Sequence, residues 1–93
     1  MDKDRLMVSE KEALAIADRF LRADRRARDA DLAFDFPQVK VKEGWLIAPY
    51  NSVTYLKTRN MRDQLLDCWP VLVELATGKV RFGRLEELDF WRN

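Results

Sequence analysis

The chain contains no histidine. That removes the imidazole base of Ser-His-Asp and Cys-His sites and the commonest zinc ligand. Carboxylate or lysine chemistry stays open, but no spacing in the sequence suggests it. Cysteine occurs once, at Cys68, so no internal disulfide can form. A small secreted domain would normally need such staples. No apolar run is long enough to cross a membrane, and the mixed-charge start Met1-Asp2-Lys3-Asp4-Arg5 leads into no apolar leader segment. These absences lead us to expect a cytoplasmic protein. A surplus of one charge is lacking too: 17 Lys and Arg stand against 16 Asp and Glu, a net charge of +1. Nucleic-acid binders and polybasic membrane anchors need a basic excess, so neither nucleic acid nor a membrane is an expected partner.

Apolar residues make up 47% of the 93, including five Phe, three Trp and two Tyr. That suffices for one modest core, and residues 1–93 read as a single α+β domain. The spacing predicts a first helix from Ser9 to Arg26. Ser9 and Glu12 form a capping box, with Val8 and Ala13 at the flanking staple positions. Ala13, Ile16, Ala17, Phe20 and Leu21 recur on one face. At Leu32 the period changes to two. Leu32, Phe34 and Phe36 alternate until Pro37, where the strand must be an edge or bulge. Val39 and Val41 continue the alternation, Lys42-Glu43-Gly44 turns the chain, and Trp45 to Tyr50 is a more continuous apolar strand. Asn51 and Ser52 end that strand and cap a short helix from Val53 to Lys57, and Asn60 caps another from Met61 to Leu66. Pro70 to Leu75 and Val80 to Phe82 read as a hairpin around Ala76-Thr77-Gly78-Lys79. Leu85, Leu88 and Trp91 suggest a last helical turn or two. The simplest assembly is one antiparallel sheet of about four strands in two hairpins, with short helices between them and the first helix on one face.

Trp45, Tyr50-Asn51-Ser52, Tyr55-Leu56, Thr58, Pro70, Val71-Leu72-Val73 and Thr77-Gly78 follow one another in an order and spacing that resembles the YrhB-like, immunity protein 35 family of small bacterial proteins. The resemblance implies a protein that binds and neutralises a cognate toxin by protein–protein contact, with no cofactor and no active site. The chain departs from the family pattern in three places. Arg59 replaces a Gly after the threonine, Asp67-Cys68-Trp69 replaces the Gly-Asn loop before the proline, and Glu74 replaces an aspartate. If that loop touches the partner in the family, the rebuilt loop implies a different partner here.

Trp69 lies outside every periodic stripe, beside Pro70, and is either an interface anchor or a lid over the sheet. Tyr50, Asn51, Ser52 and Tyr55 form the densest polar-aromatic cluster; they line a groove or simply cap and turn the chain. Phe90 and Trp91 dock on a partner, on a second copy in a homodimer, or on the domain's own core. The arginines from Arg19 to Arg28 are interrupted by Asp18, Asp24, Asp29 and Asp31 and read as a solvated face. Cys68 has no histidine to activate it, and Glu86 and Glu87, being adjacent, cannot face one point on a helix. The expected partner-binding residues are therefore Trp69, Tyr50, Asn51, Ser52, Tyr55 and Trp91, with no catalytic or metal-binding set. Two other functions compete: a chaperone-like stress protein holding unfolded clients, and a small ligand-binding domain or enzyme.

Overall fold

A computed structural model describes residues 8–24, 31–65 and 68–92. Helix α1 spans Glu10–Arg22. Its predicted capping box is present: the Glu12 amide donates to Ser9 Oγ (3.1 Å) and the Ser9 amide donates to Glu12 Oε1 (3.0 Å). The bond from the Ser9 amide, and after it one from the Ser9 side chain, hold the Glu12 carboxyl below its usual range. Ala13, Ala17 and Leu21 are buried along the apolar stripe. The helix stops earlier than the spacing predicts, closing on an Ala23 cap. Arg25 and Arg26, like Arg28, lie outside the described residues.

The segment after it splits. Strand β1 (Leu32–Phe34) pairs antiparallel with β4 (Tyr50–Ser52) in a two-stranded ribbon. Strand β2 (Lys40–Lys42) pairs with β3 (Trp45–Ala48) in a four-stranded sheet. Both pairings belong to one long hairpin. Between Phe34↔Tyr50 and Lys40↔Ile47 the first arm advances six residues while the second advances three. The excess is coiled into a 3-10 turn, Phe36–Gln38, with Pro37 inside it. The single bulged strand expected from the sequence is thus two strands in two sheets, because Pro37 has no amide to donate to a ladder. The hairpin tip is the Glu43-Gly44 turn with φ values of 49° and 83°. Two successive positive φ values match the twist of the flanking strands.

Helix α2 (Val53–Thr58) follows β4, and Met61–Asp63 forms a 3-10 turn capped by Asn60. The longer helix to Leu66 expected here does not form: Gln64 is already extended. Strands β5 (Val71–Glu74) and β6 (Val80–Phe82) complete the sheet, whose order is β2-β3-β5-β6, antiparallel throughout. A 3-10 turn (Leu85–Glu87) and helix α3 (Leu88–Arg92) end the described chain.

Strand alternation assigns the two faces of the four-stranded sheet. Leu46, Ala48, Val71 and Val73 are buried in one cluster with Ala13, Ala17 and Leu21, so α1 covers this face. Phe82 meets Phe20 at 4.8 Å and Tyr50 at 6.2 Å between ring centroids, joining the ribbon to the same core. On the opposite face Ile47 and Leu72 are also fully buried. Their neighbours there, by register, are Lys40, Lys42, Trp45, Glu74 and Arg81. Lys42 Nζ donates to the Phe90 carbonyl (2.8 Å) and Arg81 pairs with Glu87 (2.6 Å), so the C-terminal segment is anchored over this side. The sheet is therefore enclosed between α1 and the C-terminal segment. No helix among the described residues is long and apolar enough to cross a membrane.

Packing of the second face can be measured. Ile47→Val should cost about 1 kcal/mol in urea unfolding, the usual result for a buried site. A change within experimental scatter would show that the C-terminal segment does not enclose this face.

Candidate functional site

Tyr50, Asn51 and Ser52 occupy consecutive positions of β4 and do three different things. Tyr50 is buried against Phe82. The Asn51 side chain acts as a substitute strand: its Oδ1 accepts from the Leu65 amide (2.8 Å) and its Nδ2 donates to the Leu65 carbonyl (3.1 Å). Ser52 Oγ accepts from the Tyr55 amide (3.1 Å), capping α2, and donates to the Asp63 carbonyl (2.8 Å). Together Asn51 and Ser52 fix the backbone of the segment between α2 and β5 from beneath. Among the described residues no buried side-chain polar atom lacks a hydrogen-bond partner.

Tyr55 stands on α2 under the Arg59 guanidinium, 5.5 Å from its ring centroid. Arg59 adopts φ 56°, ψ 23° as the C-cap of α2. That left-handed conformation is one glycine takes without cost and a side-chain-bearing residue does not. A two-point contact with Asp35 (3.0 Å for both nitrogens) ties Arg59 to the end of the ribbon.

Trp69 and Trp91 are brought together from opposite ends of the C-terminal half. Their rings meet edge-to-face at 5.9 Å, a favoured aromatic geometry. The Trp91 indole N–H donates to the Arg84 carbonyl (3.0 Å). Gly83 leaves the space this ring needs: a Cβ there would sit 3.0 Å from Trp91 Nε1 and 3.2 Å from Pro70 Cγ. Beside the pair lies a slot of about 240 Å3, with Pro49, Pro70 and Trp91 as its apolar walls, Cys68 at its side, and Gln38, Lys40 and Arg92 as its polar margin.

The slot exists because the ladder stops there. Ala48↔Val71 is the last pair between β3 and β5. The next positions, Pro49 and Pro70, have no amide to continue it. The Pro70 carbonyl is satisfied from β6 by the Gly83 amide (2.7 Å). Trp69 and Trp91 were legible as candidates. Lys40, Arg92 and the two prolines were not, although the strand registers would have placed Pro49 opposite Pro70. Reading the chain segment by segment also missed the exposure of Phe36 (64%) and Met61 (71%).

The arrangement offers shape, aromatic surface and cations, and among the described residues no cluster of acidic or cysteine side chains is grouped to hold a metal. A family model, immunity protein 35, matches residues 11–88. The chain belongs to the immunity protein 35 family. No curated protein and no solved structure gives a significant match. Within the Tyr50-Asn51-Ser52 triplet of this immunity protein 35 family member, Asn51 and Ser52 hold the backbone at Leu65 and Asp63, while Tyr50 packs on Phe82.

Two outcomes are expected. Asn51→Leu keeps the side-chain bulk but strips the Leu65 amide and carbonyl of their partners. It should cost about 2 kcal/mol and accelerate hydrogen exchange at the Leu65 amide more than in β5. The second concerns acid. Glu87 accepts from both Arg81 terminal nitrogens (2.7 and 2.6 Å) and from the Arg84 amide (3.0 Å). Chiefly through the Arg81 bonds, its carboxyl is held below the usual value. A lowered folded-state pKa adds stability above the unfolded value, about 4.3, and loses it as pH falls through the folded value. The stability advantage of wild type over Glu87→Gln should thus be constant above about pH 5 and shrink steadily below about pH 4, as read from urea midpoints across pH.

Proposed function

We propose that this protein neutralises a cognate bacterial toxin by binding it, in the cytoplasm of the cell that makes both, and not by catalysis. The family match over residues 11–88 carries the reading. The site supports it. A preformed aromatic pair, Trp69 and Trp91, stands on a rigid frame and has the composition of an interface anchor. Asn51 and Ser52 hold the backbone of the segment that leads towards Trp69, at Leu65 and Asp63. Preformed anchors of this kind bind without a large ordering cost, which suits an inhibitor that must act at once.

The test is co-expression with the toxin encoded beside it. Wild type should restore growth, and the purified pair should reach full inhibition at a fixed molar ratio. Trp69→Ala should weaken the complex by about 2 kcal/mol, more than the roughly 1 kcal/mol of stability lost with its edge-to-face contact to Trp91. Failure to rescue from any neighbouring toxin, or inhibition by a small fraction of an equivalent, would count against neutralisation by contact.

A further inference from the structure

We propose that the slot between the Pro49–Pro70 ladder end and Trp91 receives one bulky apolar side chain of the partner protein, flanked by a carboxylate. This rests on the immunity reading and names the chemistry of the contact. Three observations carry it. The walls are apolar and already built: Trp91 is fixed by its bond to the Arg84 carbonyl and its contact with Trp69, and Gly83 makes room for it. The volume, about 240 Å3, falls below the roughly 300 Å3 at which small-molecule pockets begin and suits a single side chain. The margin is one-signed. Among the described residues Lys40 and Arg92 line the slot and no carboxylate does, and neither cation forms an ion pair with another described residue.

The nearby cations are differently placed. Lys42 is used on the Phe90 carbonyl, and Arg81 on Glu87 and over the Trp45 ring. Lys40 and Arg92 are thus the charges left to meet a partner. Two cations at an apolar mouth favour an acidic neighbour to the inserted side chain and speed the encounter. A nucleic acid fits less well, because phosphate binding gains from many cations over a wide surface and the chain as a whole carries only +1. A second copy would have to offer its own acidic-apolar segment, such as exposed Leu85 beside Glu86.

The probes are two capped tripeptides, Asp-Phe-Asp and Lys-Phe-Lys, at millimolar concentration against labelled protein. The acidic peptide should shift the Trp91 indole and the Lys40 and Arg92 amides, an effect that fades as salt rises. The basic peptide should leave them in place. The Lys40→Glu/Arg92→Glu double variant should lose the response while keeping the wild-type amide spectrum elsewhere. With the neighbouring toxin, this variant should bind roughly tenfold more weakly or worse. No shift with either peptide, equal shifts with both, or displacement of the acidic peptide by an oligonucleotide would overturn the slot assignment. So would sedimentation showing a homodimer that the double variant dissolves. The two levels separate cleanly. Wild type that fails to rescue sinks the immunity reading, whereas wild type and the double variant rescuing equally sink only the slot.

Discussion

Ile47 and Leu72 are as deeply buried as Leu46 and Val73, and they point the other way. A sheet whose central strands are apolar on both faces cannot stand with one cover, since each exposed face would return its hydrophobic free energy to water. Helix α1 supplies the first cover. The second comes from the Leu85–Arg92 segment, whose helix α3 is too short to be stable by itself. It is held by points: Lys42 on the Phe90 carbonyl, Arg81 on Glu87, Trp91 on the Arg84 carbonyl. Everything on the Trp91 side follows from that need, because the residues that seal the sheet also present the aromatic edge.

Proline decides where sealing ends. Pro37 divides the first arm of the long hairpin, and Pro49 and Pro70 end the β3–β5 ladder together. An ended ladder inside a sheet leaves carbonyls to be satisfied and a gap to be filled. Here Gly83 meets the Pro70 carbonyl and the Trp91 ring fills part of the gap. The remainder is the slot. Two of its walls are prolines at positions that cannot pair, and the third is the Trp91 ring, held by its bond to the Arg84 carbonyl and its contact with Trp69.

How much of this the sequence reveals depends on the distance over which each feature is decided. The capping box, the Glu43-Gly44 turn and the Thr77-Gly78 turn are decided within four or five residues and are legible. The capping role of Ser52 and the alternation of β5 are equally local. The split of the Leu32–Lys42 segment into two sheets is not, because it needs the three-residue offset between hairpin arms. Asn51 illustrates the limit. Its type suggested a turn or a cap, yet its main bonds go to Leu65, fourteen residues away. The Trp69–Trp91 contact and the convergence of Lys40 with Arg92 join still more distant residues, and no periodicity encodes them.

The departures from the family pattern gain meaning from where they lie. Glu74 serves the turn after its strand: it accepts from Thr77 Oγ1 (2.6 Å) and helps close the β5–β6 connection. Arg59 stands at the surface in a backbone conformation suited to glycine, and its guanidinium bridges Asp35 and the Tyr55 ring. A glycine at that position would ease the backbone but leave Asp35 and the α2 end unjoined, so the arginine exchanges local strain for a tie between ribbon and helix. Trp69 is half-buried, and its ring meets Trp91 beside the slot. Asn51 and Ser52 hold the backbone from beneath, whereas the Arg59 contacts lie at the surface, so a change there alters a surface contact before it reaches the buried strand residues Leu46–Ala48 and Val71–Val73.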